Sequence, residues 1–334
     1  MKRNSFVYCG KKVLIFFVSV FILSLAVFYI SRLAPGDPLM SYYGERAEKM
    51  SAGEKEAARE RLGLNDPIHV QYLRWLQHTV KGEFGISYKY KQDVTEVIET
   101  RIGNTLILGG IGFLLTFIGA LGLGILCAWH EEKWPDKLLC KGGTLLNCIP
   151  EFWLCLLLIM IFSVILHWLP SSGAYAVGHK NDILSRMEHL VLPMAVVILG
   201  HLWYYAYMIR NKLLEETRAD YVLLGKSKGL SKKQIMFGHC LRNVLPSYIS
   251  LMAISVPHVL GGTYIVETVF SYPGIGALSF ESARYHDYNL LMVLCMMSGI
   301  LVIFCNLIGQ IINEKIDPRI KANEVVETSE VSKV

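Results

Sequence analysis

Six stretches of this chain are apolar over a length that only a membrane or a large protein core can absorb. A helix needs about 20 apolar residues to cross the hydrocarbon core. Residues 13–30, 105–128, 152–168, 190–208, 247–266 and 290–312 supply such runs, and a weaker run over 138–149 precedes the third and can extend it. A bilayer offers no water to unpaired backbone groups, so spanning segments must be helical or form a closed barrel. The runs are too long and too uniformly apolar for barrel strands. The reading is an all-α integral membrane protein, a bundle of six transmembrane helices. Composition agrees: 53% of residues are apolar, 18% are charged, and the mean hydropathy is +0.38. The first run could instead be a cleaved signal peptide, but it outlasts a usual signal core and no small-residue cleavage site follows it.

Orientation follows from lysine and arginine, which concentrate in short cytoplasmic loops. The N-terminus, the loop after the second run, the loop after the fourth and the tail together hold nineteen of them; the opposite short loops hold only Lys180, Arg186 and Arg284. Both termini are therefore expected in the cytoplasm. The expected organisation is an N-terminus over 1–12, a first span over 13–30, an exterior segment over 31–103, a transmembrane core over 104–312 with a cytoplasmic loop over 209–246, and a tail over 313–334. The exterior segment balances eleven basic against eleven acidic residues. Within it, 51–62 reads as a short helix with Ser51 as N-cap and Glu54 closing a capping box. After the break at Asp66-Pro67, 70–80 reads as a second helix.

Several functions are excluded. The eight cysteines form no CxxC pair and none lies in the exterior segment, so they read as apolar filling rather than disulfides or zinc ligands. No continuous basic face with stacking groups suggests nucleic acid. No HExxH, GxSxG or paired intramembrane acids suggest an enzyme. Gly225-Lys226-Ser227 resembles the end of a Walker A loop, but the position that needs a glycine holds Asp220. ATP chemistry must then come from a partner, and no cofactor is expected.

The 210–245 loop is too long for a simple helix connection. Residues 213–226 can form a helix, Gly229 can supply a left-handed stop, and Ser231 can cap the next helix. The result is a helical knob suited to a groove on a soluble partner. Lys226, Lys228, Lys232 and Lys233 could meet acidic partner surface or merely follow the charge rule.

This loop resembles the coupling motif of ABC importer permeases at Ala219-Asp220-Tyr221, Gly225, Lys228, Gly229-Leu230 and Arg242-Asn243. Other landmarks narrow the likeness to the permeases of dipeptide, oligopeptide and nickel importers. They are Ala34-Pro35-Gly36-Asp37-Pro38, Leu62-Gly63-Leu64, Phe84-Gly85-Ile86-Ser87, Ile149-Pro150-Glu151-Phe152-Trp153, Tyr272-Pro273-Gly274 and Asp317-Pro318-Arg319. They run in family order over nearly the whole chain. Position 219 onward reads Ala-Asp-Tyr rather than Glu-Ala-Ala. The resemblance implies the type I permease fold with cytoplasmic coupling helices. It also implies these partners: a second permease, one or two ATPases gripping the coupling helices, an extracytoplasmic binding protein, and the lipid of the cell membrane. ATP-driven closure of the ATPases would swing the permeases between inward- and outward-facing states.

Ionisable groups inside spans are read as functional candidates. His201 and His258 each fall about twelve residues into a span; they serve either as structural hydrogen-bonding groups or as polar stations on the substrate path. Glu267 reads as a gate residue or as half of a salt bridge with Arg284. Pro257 and Gly261-Gly262 are expected to interrupt the fifth span. Tyr272-Pro273-Gly274 reads as an exterior turn in contact with the binding protein. Gly119, Gly122 and Gly124 read as close helix packing. Peptide and nickel or metal-chelate cargo remain open. A secondary transporter, or a sensor or scaffold without an ATPase, are the competing readings; the first lacks an internal repeat and the second leaves the knob without purpose.

Overall fold

The structure, a computed structural model, describes residues 2–33 and 39–316; the motifs at 34–38 and 317–319 lie outside the described residues. The described chain is helical, with only an isolated bridge between Ile86 and Asp93. In chain order the helices used below are α1 (Lys2–Leu33), α2 (Ala52–Arg61), α3 (Ile68–Val80), α4 (Val94–Trp129), α5 (Trp134–Asn147), α6 (Glu151–Ile165), α7 (Ile183–Thr217), α8 (Asp220–Ser227), α9 (Lys232–Val269), α10 (Ile275–Arg284) and α11 (Tyr288–Ile316). Among the described residues, five helices are long and apolar enough to cross a membrane, and the bent pair α5–α6 makes a sixth if it counts as one span. The chain divides into two compact units, one of residues up to 106 with 271–304, the other of 107–270 with 305 onward.

In the first unit, Ser51 caps α2 and shares a capping box with Glu54, as its spacing predicts. The helix after Pro67 begins at Ile68, two residues earlier than expected. Its Tyr72 packs with Phe28 of α1 and Met292 of α11, and the Tyr72 hydroxyl meets Ser24 Oγ at 2.8 Å. That contact fastens the 31–103 segment to the first span. A second core joins Val94, Val97 and Ile98 of α4 to Leu278 of α10 and Leu290 and Leu294 of α11. Beside it, Glu281 accepts from Lys89 Nζ at 2.6 Å and Tyr90 Oη at 2.5 Å.

In the second unit, α4 and α7 lie too close for side chains at their contact. A Cβ on Gly112 would stand 2.8 Å from Val197, and one on Gly124 would stand 2.7 Å from Ile209. Gly119 also faces α7, through Leu202, whereas Gly122 meets nothing, so packing accounts for two of the three glycines read that way. The α9 ladder runs unbroken through Pro257 and Gly261, contrary to the expected interruption. A proline removes a single N–H, and the 29-residue helix over Leu241–Val269 continues through both Pro246 and Pro257. The break falls elsewhere. The third span is split at residues 148–150, where α5 and α6 meet at 97°.

Candidate functional site

Two sites emerge, both within the second unit. The first is the 210–245 loop. The single helix expected over 213–226 is in fact two: α7 carries on to Thr217, and α8 starts at Asp220 after an extended Ala219. The corner brings Tyr221 back onto Glu216, with Oη donating to Oε2 at 2.5 Å, and Asn243 Nδ2 donates to the same oxygen at 3.1 Å. Three separate parts of the loop thus meet on one carboxylate. Burial first, and then this hydrogen bond, push the Tyr221 phenol well above its usual range.

Gly229 stops α8 at φ +80°, and Leu230 N–H donates to the Gly225 carbonyl at 3.1 Å. This is a helix stop that only a residue at ease in the left-handed region closes without strain. Ser231 then caps the following turn, with Gln234 completing the box. Gly225 is buried against Leu230 and Ile235, while Lys228 is exposed and Arg242 is exposed within α9.

The loop is tied to the ends of its neighbours. Arg210 pairs with Asp136, Arg218 Nη2 reaches Glu131 at 2.6 Å, and Lys232 Nζ donates to the Trp129 carbonyl at 2.6 Å. Lys232 is therefore spent on an internal contact, unlike Lys226 and Lys228 at the surface. The apolar tip was not legible from spacing along the chain: Leu223 is 62% exposed and Leu224 55%. The pair places apolar surface at the solvent-facing tip of an otherwise polar loop.

The second site lies at the split of the third span. Gly200 stands at the midpoint of α7, and a Cβ there would come within 3.2 Å of Glu151 Oε1. Glu151 therefore lies level with the middle of α7, at the first turn of α6, with its side chain 21% exposed. Beside it, His201 is 4% exposed and its Nδ1–H donates to the Val197 carbonyl at 3.0 Å, which leaves Nε2 as an acceptor when the ring is neutral. The His201 ring stacks with Tyr205 and meets the exposed His258 edge-on at 5.2 Å between centroids.

Glu151 Oε1 stands 3.7 Å from His201 Nδ1, beyond hydrogen-bond reach, and its carboxylate receives no hydrogen bond among the described residues. Charge at the centre of a span costs roughly 3 kcal/mol on insertion scales. The first-turn position of Glu151 earns back only about 0.3–1 kcal/mol from the helix dipole. The dipole alone does not compensate this carboxylate.

The two predicted histidines thus come together, and Glu151 joins them, which spacing along the chain does not reveal. Glu267 does not join: it is fully buried, nine residues beyond His258 on the same helix, or about 13 Å along the axis. At the 271–274 turn in the first unit, Tyr272 and Gly274 are buried, Pro273 is half-buried and its carbonyl accepts from Asn104 at 2.8 Å, and Ser271 stands at the surface.

Residues 120–322 match the model of the binding-protein-dependent transport system inner membrane component, and residues 6–109 match the N-terminal model of the same membrane components. The chain belongs to this permease family. It is 34% identical over 300 residues to the oligopeptide transport system permease protein AppB of Bacillus subtilis, covering 90% of this chain and 94% of that one. It is 28% identical over 317 residues to the metal-staphylopine import system permease protein CntB of Staphylococcus aureus, covering 95% and 98%. Among solved structures, the inward-facing MetNI methionine ABC transporter aligns with a TM-score of 0.52 at 18% identity, over 67% of this chain and 97% of that one. That likeness carries the fold, the type I importer permease. The permease is accordingly a multi-pass inner-membrane transport subunit and not an enzyme. Its family works with a second permease, a substrate-binding protein and an ATPase, and the hydrolysis belongs to the ATPase.

Proposed function

We propose that this permease forms half of the translocation channel of an importer for peptides or nickel-type metal chelates, with a different, homologous permease as the other half. An extracytoplasmic binding protein delivers the cargo, and one or two ATPases hold the 210–245 knob. Both termini lie in the cytoplasm, in keeping with the distribution of lysine and arginine. The observation that carries the mechanism is the anchored knob: its helices are fixed to the ends of α4, α5 and α7 by Arg210, Arg218 and Lys232, so a displacement at Leu223 and Leu224 reaches the spans rather than dissipating in a loose loop. Ala219, Asp220, Tyr221, Gly225, Lys228, Gly229, Leu230, Arg242 and Asn243 form and orient that knob.

The substrate path runs past His201 and His258, where two ionisable rings meet inside the bundle. Glu267, buried and away from the pair, acts on the path through the packing of α9. The 271–274 turn contacts the binding protein through Ser271 and Pro273. The two relatives named above support the cargo: one is named for oligopeptides and the other for metal-staphylopine.

The test is reconstitution of the purified assembly in liposomes with its binding protein. ATP hydrolysis stimulated by peptides or by chelated nickel supports the reading and chooses the cargo. An intact assembly that neither stimulates points to another small solute, and failure of any ATPase to co-purify overturns the importer role.

A further inference from the structure

We infer that the break in the third span holds a cation-binding subsite, built on Glu151 and flanked by His201 and His258, that takes an organic ammonium or guanidinium group of the cargo. The inference rests on the channel reading above and adds a residue and a ligand chemistry to it. Discontinuous spans in transporters mark places where irregular backbone lines a binding cavity near the membrane midplane. Here the 97° break between α5 and α6 places Glu151 level with the centre of α7.

Three observations point to a cation. The carboxylate sits inside a span, where charge is tolerated when it is paired or meets a water-filled path. It has no hydrogen bond among the described residues, and its neighbour His201 gives its Nδ1 proton to Val197 instead. Gly200 leaves open the space that a Cβ would fill at 3.2 Å from Oε1, so the close approach depends on glycine there.

The kind of cation follows from the ligand set. Among the described residues, no group of three His, Cys, Asp or Glu side chains is placed to hold a metal ion. One carboxylate beside two imidazoles supplies acceptors for N–H donors, which suits a protonated amine or a guanidinium. A metal chelate would be recognised here through a cationic group of its organic part.

The experiment uses the whole assembly in liposomes and the native Cys148, exposed three residues before Glu151. Cys148 is labelled with cationic aminoethyl or anionic sulfonatoethyl methanethiosulfonate, and each rate is read at that residue by peptide mass spectrometry. Relative to free cysteine, the cationic reagent should be favoured by about tenfold in the wild type. Glu151→Gln should erase the preference, Glu151→Asp should keep most of it, and millimolar trilysine should slow labelling only while the carboxylate is present. Equal preference in wild type and Glu151→Gln overturns the subsite, as does the absence of labelling by either reagent, which would mean a dry break. Loss of the second permease from the Glu151→Gln assembly also overturns it, because the carboxylate would then be meeting a cation of that subunit. Failure of the importer reading shows separately, as an assembly without ATPase, and leaves the labelling ratio readable.

Discussion

Arg210 grips Asp136 with two parallel hydrogen bonds, Nε to Oδ1 and Nη2 to Oδ2, each 2.7 Å. The pair joins the end of α7 to the start of α5, 74 residues apart, and the Asp136 side chain is only 4% exposed. Such forked pairs fix direction as well as distance. Removing one partner of a buried pair strands the other charge and costs about 3–5 kcal/mol. Asp136→Asn should therefore lower the unfolding temperature and expose the 210–245 loop to protease. The exchanged pair Asp136→Arg with Arg210→Asp should restore part of both, and no recovery would mean that the geometry, not the charge pairing, is what the site needs.

Gly229 sits at φ +80° with open space where a Cβ would go. Substitution there strains the backbone without a clash, at a cost of about 1–2 kcal/mol for an ordinary residue. The cost is higher for a β-branched one. Gly229→Val should insert normally and still bind the ATPase, while uptake falls well below ATP hydrolysis. Gly225→Ala, whose Cβ would find Leu230 at an ordinary 3.5 Å, should be tolerated. Normal uptake by a well-inserted Gly229→Val would show that the angle of the knob is not what couples it.

Leu223 and Leu224 face solvent on the knob. Leu224→Asp should leave insertion and the Ser231 cap intact and remove most of the ATPase from the purified assembly. Unchanged co-purification would shift the contact to the exposed Lys226 and Lys228.

Local features of this chain are legible from sequence because their causes are local. Ser51 with Glu54, Ser231 with Gln234, and Gly229 each act within a few residues, and all three do what their spacing predicts. The apolar runs mark the spans for the same reason. Pro257 misled because a proline states only that one N–H is missing, not whether the surrounding helix bends. Glu151 was visible as part of a family motif but not as a neighbour of His201, since the break that lifts it to the level of Gly200 depends on how α5 and α6 pack against α7. The grip of Arg210 on Asp136 was hidden likewise, by long separation along the chain.

His258 tests the path itself. It is exposed and meets His201 only by its ring edge, so its removal should cost the fold little. His258→Ala should assemble and hydrolyse ATP as the wild type does, with uptake reduced severalfold. Unchanged uptake of chelated nickel and of peptide would take this ring off the path.

The Glu281 cluster sets the pH response of the first unit. Burial pushes the Glu281 carboxyl up, but hydrogen bonds from Lys89 and Tyr90 outweigh it, and the net shift is downward. A depressed carboxylate stabilises the fold above its unfolded value, near pH 4.3, and that contribution is lost as pH falls through the folded value. Tyr90 behaves oppositely. Burial, and then the bond to Glu281, raise its phenol to about 12, so its contribution is complete below its unfolded value near pH 10 and is lost as pH rises toward 12. Hydrogen-exchange protection at 87–93 and 275–284, taken relative to the intrinsic rate at each pH, should stay high between these limits and fall on both sides. Glu281→Gln should remove the acid limb and weaken the alkaline one; an unchanged acid limb would take Glu281 out of the pH response.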